Sequence, residues 1–429
     1  MKNDASLGHL NVRNRTCIDL FAGAGGLSTG LEMAGFNVLF ANEIMKAYAE
    51  TLKENHPQSE VYVDDIRSVS PAHVRKGLNL AVGELDLLAG GPPCQGFSIN
   101  APIRSNEDSR NNLFLNYLAF VEEFRPKTVL IENVPGMVSF ESGNTIKAIL
   151  ESLKNLGYNA DVRVLFAPNY GIPQMRWRTI FLATRLEISP QALYPVPSHQ
   201  IKGRPNFTST LDGRRLVFSD SYIASNSQYA FTTVDDAISD LPEIENGGGM
   251  AETQYECDGK SDYQILLRAN ANLLFNHQCA RLGAVNIARL AHIPPGGSWR
   301  DIPHELLPKG MQRARRSDHT KRYGRLSPDG IASTILTKCD PHWGSYIHPT
   351  QDRVLSVREA ARLQSFPDKI RFYGSVTEQY EQVGNAVPPL FAKAIGDQIQ
   401  KILTREENDE PIYSGFEGKN SNLELPFFQ

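Results

Sequence analysis

Short apolar runs at residues 16–21, 38–42, 85–89, 127–131, 162–166 and 179–184 punctuate the first part of the chain. Runs of this length bounded by glycine or polar residues predict buried strands. Residues 113–124 carry helically spaced apolar positions, and Pro126 supplies the break. Strand and helix signals alternate, which predicts an α/β protein with a mostly parallel sheet covered on both faces.

The texture changes near residue 186. From there to about residue 322 periodicity is weak and Pro, Gly, Ser and Asn are frequent; Gly247-Gly248-Gly249 and Pro294-Pro295-Gly296-Gly297 are strong breakers. This predicts a separate, loop-rich region. Helical pattern returns over residues 354–366, ending at Pro367, and a last helix is expected over residues 389–403. The acidic, polar stretch after Arg405 is expected to fray.

Composition narrows the classes. Hydrophobic residues make up 41% of 429, and no apolar stretch approaches the roughly 18 residues of a membrane span. Residues 1–15 lack the apolar core of a signal peptide, so no export and no membrane are expected. Five cysteines without a Cys-x-x-Cys pair argue against a disulfide framework or zinc finger, and no metal is expected. They fit a reducing compartment. The net charge of -4 leaves nucleic acid open, because a local basic face suffices. Residues 311–325 offer one: Arg313, Arg315, Arg316, Lys321, Arg322 and Arg325 against Asp318. The alternative is a solvated basic face.

Asp19-Leu20-Phe21-Ala22-Gly23-Ala24-Gly25-Gly26-Leu27-Ser28 follows the first strand and opens a helix. Glycines let the backbone turn tightly and approach a ligand. Glu43, at the end of the next strand, could accept from ribose hydroxyls, and Asp65, after the third, from an adenine amino group. The loop lacks the third glycine of a dinucleotide fingerprint and the lysine of a P-loop. A nucleoside without pyrophosphate, S-adenosylmethionine above all, suits it better; the alternative is a tight turn of any α/β protein.

Gly90-Gly91-Pro92-Pro93-Cys94-Gln95-Gly96-Phe97-Ser98 follows the strand at 85–89. The prolines stiffen the approach to one cysteine, at the strand end where open α/β sheets place ligands. Cys17, Cys257, Cys279 and Cys339 read as ordinary structural cysteines. Glu132-Asn133-Val134 follows the next strand and aims a carboxylate at the same crevice. Gln174-Met175-Arg176-Trp177-Arg178 precedes the last strand, with its arginines alternating to one side.

In this order these motifs resemble the cytosine-C5 DNA methyltransferase family. Two more near the end extend the likeness, Arg358-Glu359-Ala360-Ala361-Arg362-Leu363-Gln364-Ser365-Phe366-Pro367 and Gln382-Val383-Gly384-Asn385-Ala386-Val387-Pro388-Pro389. It covers about residues 16–184 and 325–403. Asp64 before Asp65, where the family often has Gly, and Ile44, where an aromatic often follows the ribose glutamate, are small departures.

The resemblance implies a Rossmann-like S-adenosylmethionine-dependent catalytic domain with a small target-recognition domain inserted. The expected division is 1–185 catalytic, 186–352 recognition, 353–410 return segment and last helix, and 411–429 tail. It implies Cys94 as nucleophile, Glu132 on the N3 and N4 edge of cytosine, Arg178 at O2 and Arg176 in support. Phe21, Gly23, Ala24, Gly25, Gly26, Glu43, Ile44, Asp65, Ile66, Pro93, Leu113, Asn385 and Ala386 would line the S-adenosyl-L-methionine pocket. Gln95 and Ser98 would contact DNA beside a flipped-out base, with the basic cluster on phosphate. The expected partner is double-stranded DNA, methylated by a cytoplasmic, monomeric bacterial enzyme, with a cognate restriction endonuclease acting on the same site. The rivals are the same chemistry on transfer RNA and a catalytically silent DNA-binding relative. A Rossmann oxidoreductase would leave the Pro-Pro-Cys loop unexplained.

Overall fold

The computed structural model describes residues 14–93, 111–201, 207, 209–318 and 321–408. Seven strands form one sheet: β1 (Arg15–Leu20), β2 (Phe36–Asn42), β3 (Glu60–Tyr62), β4 (Leu87–Gly90), β5 (Thr128–Asn133), β6 (Asn159–Phe166) and β7 (Trp177–Thr184). Their order is β3-β2-β1-β4-β5-β7-β6. The first five strands pair in parallel, whereas β7 runs antiparallel to both β5 and β6. The mostly parallel sheet expected from the α/β alternation is therefore present, with one reversed strand that periodicity did not reveal.

Successive strand residues point to opposite faces. Ile18, Leu20, Val129 and Ile131 pack on one side, under α4 (Asn111–Phe124) and α5 (Asn144–Asn155). Cys17, Leu87, Ala89 and Leu130 pack on the other, under α1 (Gly26–Met33). The last helix, α8 (Pro389–Glu407), joins that second layer through Phe391, Ile395 and Ile399. Arg15, at the head of β1, donates to Glu407 at 2.9 Å and closes the two ends of the described chain together. Two further helices, α2 (Lys46–Asn55) and α3 (Pro71–Gly77), complete the sheet's surround.

A third core is built from short helices at Val234–Ile238 and Asp262–Arg268 and the two-stranded ladder Gly249–Thr253 with Leu274–Gln278. Val234, Ala237, Ile238, Tyr263, Leu267 and Leu274 pack against α6 (Val357–Leu363) and α7 (Val376–Asn385). A smaller cluster, Leu290, Ile293, Trp299, Ile302, Met311, Tyr323 and Ile347, sits beside it. Chain sections that cannot satisfy their backbone groups in ladders must use side chains. Four buried arginines do so here. Arg358 donates to Phe275 O at 2.8 Å, and Arg362 meets Asp368 at 2.6 Å and Asp240 at 3.1 Å. Arg353 forks onto Glu359 at 2.7 and 2.8 Å. Arg325 reaches the carbonyls of Ile293, Leu290, His348 and Gln351.

The described residues between 186 and 226 do not all stand apart from the sheet. Ala192, Leu193, Tyr194 and Phe218 belong to the second core, and Leu216 and Val217 to the first. The apolar clusters thus place the return helices α6 and α7 with the loop-rich region and α8 with the sheet. Among the described residues no helix is long and apolar enough to cross a membrane.

Candidate active site

Reversal of β7 is what assembles the crevice. An antiparallel strand begins where its parallel neighbour ends, so Trp177 and Arg178 start beside Glu132 and Asn133, with Asn133 opposite Thr179. The Arg178 guanidinium forms an ion pair with Glu132, and both side chains are mostly buried. Arg178 Nη1 also donates to Trp177 O at 2.8 Å. The Asn133 amide donates to Pro92 O at 2.9 Å, fixing the Gly91-Pro92-Pro93 approach against β5. A Cβ on Gly91 would lie 3.4 Å from Glu132 Oε2, so the loop backbone and this carboxylate are direct neighbours. Cys94, Gln95 and Ser98 lie outside the described residues.

Arg176 takes a different position. It is 2% exposed. It donates through Nη2 to Gly384 O and Ala386 O, 2.9 Å each, and through Nη1 to Ile335 O at 3.2 Å. Burial pushes its pKa well below the usual guanidinium value, with the neighbouring Arg178 charge acting in the same direction. Both of its Nη atoms are turned onto backbone carbonyls, so it braces the site from behind. Gln174 works alongside: its Oε1 accepts from Ile335 N at 2.9 Å, and its amide donates to Leu363 O at 3.2 Å and to the Gln364 side chain. Gln174 had no assigned role in the sequence reading. Its position in the same alternating run as the two arginines was the available signal.

The glycine loop lies at the ends of β1 and β2. Phe21 and Gly23 both have positive φ, 61° and 59°. A Cβ on Gly23 would meet nothing within 4 Å, so the space above the loop is open. Gly26 makes the opposite close approach: its Cβ would fall 2.4 Å from Val387 O and 3.0 Å from the Ala386 side chain. That contact brings Ala386 to the loop, while Asn385 reaches the Tyr48 hydroxyl. Glu43 accepts from Gly23 N at 2.9 Å with one oxygen and from Met45 N at 2.7 Å with the other. Burial raises its pKa, and these backbone donors pull it back down. Ile44, next to it, is 57% exposed. A carboxylate held by two amides beside an open glycine loop and an exposed apolar side chain suits a ribose and an aromatic base. The residues present therefore fit S-adenosylmethionine.

The remaining expected positions divide. Gly25 and Ala24 are part of the same buried turn, Pro93 is exposed and Leu113 is partly exposed on α4. Asp65 caps the turn Ile66–Ser68 and its carboxylate is held by Arg67 Nε at 2.9 Å, which lowers its pKa. Ile66 is buried beneath it. Asp19 was quoted only as part of the loop motif. It is fully buried, accepts from the Ser28 hydroxyl at 2.6 Å, and is pushed up to about 7 by burial.

In the basic cluster, Arg313, Arg315, Arg316 and Lys321 are exposed. Arg322 is partly exposed and lies 5.8 Å from the Trp343 ring centroid. Arg325 leaves this surface: four backbone carbonyls consume its guanidinium, so it is a structural brace.

A family model, C-5 cytosine-specific DNA methylase, matches residues 15–401. The chain belongs to this family. The methylase is 36% identical to the Type II methyltransferase M.AgeI of Thalassovita gelatinovora, over 90% of its own length and 99% of that protein. It is 33% identical to DNA (cytosine-5)-methyltransferase 1 of Mus musculus over 90% of its length, yet spans only 28% of that larger enzyme. A solved E. coli prophage protein, described as a DNA modification methyltransferase, has the same fold. The TM-score is 0.66 at 24% identity, covering 91% of the methylase and 99% of that chain.

Proposed function

We propose that the protein methylates C5 of a flipped-out cytosine in a short sequence of double-stranded DNA through a covalent Cys94–C6 adduct. The observation that carries this reading is the Glu132–Arg178 pair, set against the Gly91-Pro92-Pro93 approach to Cys94. Two opposite charges at one crevice mouth match the polar edges of a cytosine ring.

The chemistry follows from the ring. C5 is too weak a nucleophile alone; addition of the Cys94 thiolate to C6 makes it enamine-like. Glu132 holds the N3 and N4 edge, and Arg178 donates to O2, so charge developing in the ring during addition meets fixed partners. Loss of the C5 proton then expels the thiolate. Bound S-adenosylmethionine supplies an electrophilic methyl group. Glu43 would hold its ribose, with Phe21, Gly23, Ala24, Gly25, Gly26, Ile44, Ile66, Pro93, Leu113, Asn385 and Ala386 forming the surround. Asp65 serves the adenine amino group only where it yields a lone pair not already taken by Arg67. Arg176 acts on the reaction by holding Gly384 and Ala386 in place.

A base inside a duplex is out of reach of any side chain, so the cytosine must leave the stack, at a cost of a few kcal/mol. Gln95 and Ser98 are placed by sequence to meet the vacated space, and Arg313, Arg315, Arg316, Lys321 and Arg322 to meet phosphate. The loop-rich region with α6 and α7 would be the target-recognition unit. Similarity to a Type II methyltransferase supports a bacterial modification role in the cytoplasm, paired with an endonuclease of the same site.

The test is incubation of the protein and S-adenosylmethionine with unmethylated DNA of random sequence, followed by bisulfite mapping. One short methylated motif is expected, and Cys94→Ser is expected to bind cofactor yet abolish transfer. Unmethylated DNA with methylated transfer RNA, or robust transfer by Cys94→Ser, would refute the reading.

A further inference from the structure

We propose that Trp343 is a specificity-determining DNA contact, stacking its indole on bases near the target cytosine. This rests on the duplex-DNA reading above and assigns a particular side chain to it.

The three tryptophans are treated differently by the fold. Trp177 stacks between Phe166 and Phe207, with centroid separations of 4.1 and 4.5 Å. Trp299 is 4% exposed, whereas Trp343 is 64% exposed. A lone exposed apolar side chain is common, so exposure alone means little. The loop that presents it is the second observation. Trp343 N donates to Asp340 O at 3.0 Å, closing a turn, and Tyr323 N donates to Pro341 O at 2.6 Å. The Tyr323 hydroxyl and His342 Nε2 are 2.6 Å apart. The buried Tyr346 hydroxyl donates to Thr334 O at 3.1 Å and ties the loop's two stems together. The indole is thus held out on a fixed frame, and little entropy is lost when it engages a partner.

The stems connect to the candidate active site. Met175 N donates to Ala332 O at 2.8 Å, Thr334 Oγ1 to Met175 O at 2.5 Å, and Ile335 is bonded by both Gln174 and Arg176. These are the residues immediately before Arg178. Only Gly344 and Ser345 separate Trp343 from Tyr346. The loop that carries the indole is thus bonded through its stems to the residues that lead into Arg178.

The surroundings select the partner. Arg322 lies over the Trp343 ring, Lys321 and Lys338 are exposed nearby, and Arg313, Arg315 and Arg316 continue the cationic run. An aromatic ring beside a cation, on a surface with further exposed cations, suits a polyanion whose opened stack offers an unpaired base face to the indole.

The experiment uses the full chain, the duplex defined by the wild-type methylation map, and S-adenosylhomocysteine as the bound cofactor analogue. Trp343→Ala is expected to weaken binding of that duplex by about five- to a hundredfold, the loss of one stacked base. Trp343→Phe should recover most of it. Binding of a random duplex and the melting temperature should stay near wild type, and the methylation map of Trp343→Ala should broaden. Unchanged affinity and an unchanged map, with wild type active on the same DNA, would overturn this proposal alone. Loss of self-association instead would overturn it in favour of a second copy of the chain. A wild-type protein that neither binds nor methylates duplex DNA would overturn the functional reading itself.

Discussion

The sheet half and the loop-rich half bury charge for opposite purposes. Around the third core Arg325, Arg353, Arg358 and Arg362 are buried at 6% exposure or less, and each faces carboxylates or carbonyls that match it. At the strand ends of the sheet Glu43 and Glu132 are held by few partners, beside space that a ligand could enter. Arg176 belongs to the sheet by sequence and to the first class by environment. The lesson is that a guanidinium turned onto several fixed acceptors marks scaffold, whereas a fixed charge with spare capacity marks chemistry.

The comparison breaks first at Arg362. Arg362→Leu strips the buried Asp240 and Asp368 of the cation they share, leaving only Arg268 on one and the more distant Arg358 on the other, and removing one partner of a buried pair costs about 3–5 kcal/mol. Chemical denaturation should show that loss; a midpoint shift below a third of it would mean the network is not scaffold. Glu43→Gln is the contrasting change. It should fold normally and weaken S-adenosylhomocysteine binding about tenfold or more, the scale of a charge-assisted hydrogen bond. Calorimetric titration decides, and wild-type affinity would remove Glu43 from the cofactor site.

A smaller effect sets the halves against each other in pH. Burial lifts Asp19 to about 7 in the fold, against about 3.9 when unfolded. The folded protein therefore keeps a proton that the unfolded chain has lost, and stability falls as pH rises across that window. His348, lowered to about 4 by burial, does the reverse. The unfolded chain takes a proton below about 6.5, so stability falls as pH drops from there toward 4. Asp19→Asn should consequently make stability climb more steeply between pH 4 and 7. A slope identical to wild type would contradict the raised Asp19 value.

The smallest effect concerns the exposed cations. Neutralising Arg315 and Arg316 should weaken DNA binding similarly for all sequences. It should also reduce the slope of log affinity against log salt by about 1.8. An unchanged slope would show a merely solvated face.

Much of this was legible in advance because it is local. Six of the sheet's seven strands began and ended within a few residues of their apolar runs, since a buried strand must be apolar and its ends must not be; β3, exposed at the sheet edge, had no such run. The closeness of the Gly91-Pro92 approach, Glu132 and Arg178 was legible because strand ends of such sheets face one crevice. The partners of the Arg176 and Arg325 head groups were not legible for a common reason: an arginine's spacing is the same whether its guanidinium meets phosphate or carbonyls. Gln174, Asp19 and Trp343 gave weaker signals, because their importance depends on what lies across space.

By itself, then, the sequence determined the α/β alternation, the order of the motifs and the residue types able to do the chemistry, all properties of short stretches. Only the tertiary structure decided that β7 runs backward and sets Arg178 beside Glu132. It alone drew the return helices to the loop-rich core, and chose which arginines are braces. Those outcomes depend on pairings between residues up to hundreds of positions apart, where burial and hydrogen-bond satisfaction select one partner among many.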